Sequence, residues 1–157
     1  AFLDFSLLKP RLHRWKFNLK TGVTTEEDIC NETIEFGVIN QHIAGIEHRY
    51  TYSMIPTKGH FTFDGITKHD HQKNSLSKYV FPEHIFISEV SFAPKTGAID
   101  EDDGYLITIS NDVKEKSSSC LLFDAKNLED GPVCNIPLPH QICSGTHATW
   151  AQKSDLK

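Results

Sequence analysis

The sequence predicts an all-β chain made of consecutive blades of a β-propeller, and two observations predict it. Its apolar residues recur with the two-residue period of strands, in short runs separated by Gly, Asn, Asp and Pro turns, and no segment longer than one or two turns carries the i, i+3, i+4 spacing of an amphipathic helix. The strands also repeat: Asn18, Asp70 and Asp124 each stand where an alternating strand enters a polar turn, 52 and 54 positions apart. A period on the order of 50 residues holding about four short strands is the size of one propeller blade.

Taken in order, residues 14–19 alternate polar and apolar, Lys20, Thr21 and Gly22 turn, and 23–29 return as the second arm of a hairpin. Strands follow at 33–39, where Glu35 interrupts an apolar run, at 49–54, and at 61–68, with a turn over 70–74 and a return over 76–81. Residues 85–92 (IFISEVSF) read as one apolar strand interrupted by Glu89. A loop over 94–104 leads to strands at 105–110, 120–123 and 133–138, with 124–128 the turn between the last two. After Gly145, residues 146–150 (THATW) read as a short strand that points His147 to one face.

The repeat places chemistry. Glu35 stands 17 positions beyond Asn18, Glu89 19 beyond Asp70, and His147 23 beyond Asp124. Two carboxylates and an imidazole therefore occupy matching points, each on the strand that opens the next blade and lines the propeller axis. Flanked by Ile85, Phe86, Ile87, Val90 and Phe92, Glu89 is expected to be largely buried, and a carboxylate there needs a cation or a strong donor. An imidazole held on an inner strand can be aimed at a fixed point, as metal ligation requires.

Composition excludes several classes. A formal net charge of −5 and a pI near 6.0 argue against nucleic acid or an anionic membrane as partner. No apolar run approaches the roughly 20 residues of a membrane span. Cys30, Cys120, Cys134 and Cys143 show no CxxC spacing, which fits reduced, buried thiols and a cytoplasmic setting. The apolar start Ala1-Phe2-Leu3 reads as an internal cut in a longer protein. His69 and His71 could chelate at i, i+2, but the repeat puts them at a turn between outer strands and predicts a solvated hairpin. His42, His48, His60, His84 and His140 fall in loops or at strand ends, without a carboxylate at useful spacing. There is no Gly-rich phosphate loop, GxSxG elbow or basic-aromatic stripe.

Six motifs in order, IEFGVIN (34–40), HRYTY (48–52), SEVSFAP (88–94), EDDGYLITI (101–109), LLFDAKNL (121–128) and IPLPHQICSGTHATW (136–150), together resemble the carotenoid cleavage oxygenase family. The likeness runs from about residue 12 to residue 150. It implies the C-terminal blades, about three, of a seven-bladed β-propeller, with residues 1–157 one part of a single oxygenase domain. It implies a non-haem Fe(II) on the axis bound by four histidines, of which His147 matches the last. Glu35 and Glu89 match glutamates that hold ligand imidazoles by their other ring nitrogen, and Glu89 is expected to hold His147. Departures from the family pattern are Val90 where proline is usual, and Thr146 and Ala148 around the histidine. The Thr146 and Ala148 changes bear on the cavity wall.

The implied activity is O₂-dependent cleavage of a conjugated C=C bond in an apolar carotenoid or apocarotenoid, giving two carbonyl products. A stilbene-cleaving dioxygenase, an isomerohydrolase with the same iron site and a non-catalytic propeller scaffold are the alternatives. With one iron ligand of four, the chain alone is expected to be inactive. Any peripheral membrane contact would come through regions it lacks.

Overall fold

A computed structural model describes residues 4–143, 145–153 and 156. The apolar start Ala1-Phe2-Leu3 and Ser144 of the last motif lie outside the described residues. Eleven strands and three single-turn 3-10 helices make up the regular structure, and no α-helix occurs among the described residues. A hairpin, β1 (His13–Phe17) with β2 (Thr24–Asp28), comes first. Then follow two four-stranded antiparallel meanders. The first is β3 (Glu35–Val38), β4 (Tyr50–Pro56), β5 (Phe63–Asp70) and β6 (Ser75–Val80). The second opens with the collinear pieces β7 (Ile85–Ile87) and β8 (Ser91–Pro94), and continues through β9 (Gly104–Asp112), β10 (Ser117–Asp124) and β11 (Pro132–Pro137). A single Phe63–Ile87 bridge joins the two meanders along one edge.

The expected repeat is present in the turns. Asn18 follows β1, while Asp70 and Asp124 end β5 and β10, the third strands of the two meanders. Asn18 Oδ1 accepts the amides of Lys20 and Thr21, Asp70 Oδ1 those of Gln72 and Lys73, and Asp124 Oδ1 that of Lys126. A side chain that mimics a backbone turn explains why Asn or Asp recurs there.

The core lies between the meanders. Tyr52 stacks on Phe92 at 5.7 Å, and Phe123 meets Tyr79 and Phe81 edge-on at 5.2 and 6.0 Å. Met54, Ile66, Leu106 and Val90 are wholly buried around them. Each such side chain contributes about 1.5–3 kcal/mol on removal from water, so the blade-to-blade interface is the main apolar support of the fold. The acidic loop after β8 adds polar ties to the first meander: Glu101 accepts the amides of Arg49 and Tyr50, and Asp102 holds Lys68.

Two strands depart from expectation. Residues 85–92 are not continuous. Ile87 pairs Ser110 and Ser91 pairs Ile107, so three residues on one side oppose two on the other: a β-bulge centred on Glu89. The opening strand of the first meander has the same device, with a register shift between Glu35 and Val38 and Phe36 at φ +50°. Bulges bend a strand and re-aim side chains, and here one stands at each carboxylate. Residues 146–150 form no strand. No neighbouring strand among the described residues offers them a ladder, and the Ala148 amide goes to the Glu89 carboxylate instead.

Candidate functional site

Glu89 sits in the bulge between β7 and β8 with its side chain 10% exposed. Its Oε2 accepts the Ala148 amide at 2.7 Å and lies 3.2 Å from His147 Nδ1. With Nδ1–H donating to the carboxylate, the tautomer is fixed with the lone pair on Nε2. The ring is otherwise open, its side chain 73% exposed, and it touches the edge of Phe36 at 5.4 Å between centroids. The expected Glu89–His147 pairing is therefore present, although the segment bearing His147 is not a strand.

Glu35 is not joined to that pair. Its side chain makes no hydrogen bond or ion pair among the described residues and lines a cavity of about 210 Å³ with Phe5, Leu8, Pro10, Phe61 and Phe63. Its neighbour Phe36 supplies the connection: turned by the left-handed backbone of the bulge, the ring meets Phe63 at 5.6 Å, Phe61 at 6.4 Å and His147 on another side. Phe5 lies tilted against Phe61 at 5.6 Å between centroids. An aromatic file thus runs from the imidazole to the Glu35 cavity. A second cavity of about 310 Å³ lies on the other side of His147, against Ile107, Cys143 and Trp150.

The other histidines divide into groups. His69 is buried rather than solvated, because β5 continues through Asp70, and neither ring nitrogen finds a partner. His71 lies 4.7 Å from it and 5.3 Å from His48, between the Thr51 hydroxyl and Arg14. Burial, reinforced by His69, His48 and Arg14, pushes the His71 pKa down to about 4. His48 also contacts Thr51, and His84 Nε2 lies 3.7 Å from Asp112, a carboxylate that linear spacing does not reveal. His13, not singled out from the sequence, is clasped by Asp28 and Glu26 across the β1–β2 hairpin, and the hydrogen bond to Asp28 raises its pKa. No group of three or more His, Cys, Asp or Glu among the described residues is arranged to hold a metal.

The model of the retinal pigment epithelial membrane protein family matches residues 3–152, and the chain belongs to that family, the family of the carotenoid cleavage oxygenases. Relatives include carotenoid 9,10(9',10')-cleavage dioxygenase 1 of Phaseolus vulgaris, 29% identical over 160 residues that cover 93% of this chain and 30% of the relative. Another is the carotenoid cleavage oxygenase of Mycobacterium tuberculosis, 30% identical over 149 residues, 91% of this chain and 29% of the relative. A solved Synechocystis apocarotenoid oxygenase variant superposes with a TM-score of 0.88 at 25% identity, covering 96% of this chain and 32% of that one. The all-β propeller fold expected from the sequence is the fold found. The chain spans about 30% of the length of the curated relatives it matches.

Proposed function

We propose that this chain is the C-terminal part of an Fe(II)-dependent oxygenase that cleaves a conjugated C=C bond of a carotenoid or apocarotenoid with O₂, giving two carbonyl products. The observation that carries the reading is the Glu89–His147 contact: a carboxylate takes one ring nitrogen and leaves the other as a donor directed away from it. That is the donor type iron requires, and the arrangement by which a protein fixes a ligand's tautomer and raises its basicity. His147 would be one iron ligand. Glu35, whose side chain is unpaired among the described residues, would hold the imidazole of a ligand that the rest of the enzyme contributes. Neutral imidazoles leave the 2+ charge uncompensated, and Glu35 and Glu89 supply the balancing negative charge.

When bound, the ferrous ion would supply the redox chemistry by which O₂ reacts with an alkene. The chain's own residues do the rest. Glu89 keeps the Nδ1 proton in place, Phe36 limits rotation of the ring, and the file Phe36–Phe63–Phe61 gives an apolar wall that excludes water and suits a polyene. No helix among the described residues is long and apolar enough to cross a membrane.

The test uses the full-length enzyme that contains this chain. Iron content and the products formed under ¹⁸O₂ should show one iron per enzyme and labelled carbonyls, and His147→Ala should abolish both. Label from water in an alcohol product would indicate an isomerohydrolase, products from stilbenes alone would move the substrate, and iron-free protein would leave a scaffold. The 157-residue chain by itself should hold no stoichiometric iron.

A further inference from the structure

Within this chain His147 is aimed by two ring contacts, to Glu89 and Phe36, and by the course of its backbone. Its ring is largely open, and beyond Glu89 and the edge of Phe36 little packs against it. Residues 145–150 form no strand, so something other than a sheet ladder must hold that backbone. Three buried side-chain acceptors do so. Ser118 Oγ accepts the Ile142 amide at 2.9 Å, Ser88 Oγ accepts the Gly145 amide at 2.9 Å, and Glu89 Oε2 accepts the Ala148 amide at 2.7 Å. The rungs recur every third residue and bracket His147, two positions after one and one before the next.

The acceptors are themselves fixed. Ser118 donates to Asn111 Oδ1 at 2.7 Å, and both residues are buried. Ser88 is buried in the bulge, its amide donating to Ile109 O and its carbonyl accepting from the Thr108 hydroxyl, each at 2.8 Å. The adjacency of Ser88 and Glu89 gives the arrangement its consequence, since one bulge sets both the hydroxyl that holds the backbone before His147 and the carboxylate that holds its ring. We propose that Ser88, with Ser118 behind it, is a positioning residue that sets where His147 Nε2 points, and so how tightly iron is held. This rests on the reading of His147 as an iron ligand. Neither serine touches iron or substrate.

The measurement is iron affinity by chelator competition in the full-length enzyme, together with the melting temperatures of the iron-free and iron-loaded forms. Ser88→Ala should raise the iron dissociation constant about tenfold, the low end of the range for residues that orient a ligand, and Ser118→Ala should raise it a few-fold. Iron should then stabilise each variant less than it stabilises the parent. Because Ser88 is buried, the melting temperature of the iron-free form checks that Ser88→Ala still folds. Unchanged iron affinity in Ser88→Ala, or melting temperatures lowered equally with and without iron, would overturn the proposal. His147→Ala separates the two claims. If it loses iron while Ser88→Ala keeps it, only the positioning role fails; if it keeps iron, the ligand assignment fails too.

Discussion

Lys68, on β5 of the first meander, reaches across to Asp102 of the second, its Nζ 2.7 Å from Oδ2 with both side chains about 10% exposed. The ammonium also lies 4.2 Å from the centroid of the Tyr50 ring and 5.9 Å from that of Tyr52. A buried pair with this geometry fixes how one blade sits on the next, and through it the relation between the bulges that carry Glu35 and Glu89. Asp102→Ala leaves the charge without its partner and should destabilise the protein by about 3–5 kcal/mol. Adding Lys68→Met, which removes the charge while keeping a flexible apolar stem between the tyrosines, should recover much of that loss. Urea unfolding of the single and double variants checks both. A double variant as unstable as Asp102→Ala would show that the loop, not the charge pair, matters.

Glu89 serves two partners through one oxygen, and its substitutions should separate them. Glu89→Gln keeps an acceptor for the Ala148 amide but removes the negative charge facing His147. Iron affinity of the full-length enzyme should fall about 10–100-fold with little change in folding stability. Glu89→Ala removes the acceptor as well, so the Ala148 amide should also exchange faster with deuterated solvent. Equal exchange in the two variants would mean that the carboxylate does not anchor the backbone.

Much of this was legible from the sequence, and what was hidden has physical reasons. Strand identity follows from alternation, and the repeat from Asn18, Asp70 and Asp124, because a side-chain-capped turn needs those residue types. The Glu89–His147 contact was expected from the family resemblance and the adjacency of opening strands, whereas matching repeat positions alone did not bring Glu35 to the pair. The bulges could not be read, because an inserted residue leaves the composition of an apolar strand unchanged; a serine directly before the buried glutamate was the available signal. His69 looked solvated because the repeat put it at a turn between outer strands. Its burial arises from packing across β4 and the hairpin, which no local pattern records. The course of 146–150 was mistaken because Thr and Trp favour strands, whereas a strand also needs a partner.

The imidazole cluster predicts acid sensitivity. His69 and His71 both have pKa values lowered by burial, His71 to about 4 from an ordinary 6.5. Arg14 adds positive charge beside them, and Asp70, already paired with Arg49, is the nearby counter-charge. The folded protein therefore binds these protons less readily than the unfolded chain. Stability is fully present above about pH 6.5 and declines as the pH falls toward 4, each histidine adding at most about 1.4 kcal/mol per pH unit. His71→Gln should flatten that decline. Denaturation midpoints between pH 4 and 7 measure it, and parallel curves for parent and variant would remove His71 as a cause.

Gly104 and Gly97 flank the acidic loop and should respond unequally to the same substitution. A Cβ on Gly104 would collide with the Phe92 ring and lie 2.7 Å from the Ala93 carbonyl oxygen. The carbonyl belongs to the β8–β9 pairing and cannot retreat without opening it. Gly97 has nothing within 4 Å of its virtual Cβ but sits at φ +73°. Space limits the first and backbone conformation the second. Asn, which tolerates the left-handed region better than other side chains, should therefore be accepted at 97 at a cost below about 1 kcal/mol. At 104 it should cost about 1–3 kcal/mol or more, as overpacking does, and should loosen the loop that carries Glu101 and Asp102. Thermal unfolding of Gly97→Asn and Gly104→Asn decides this. Equal losses at the two positions would mean that conformation, not the approach of Phe92 and Ala93, is what keeps residue 104 a glycine.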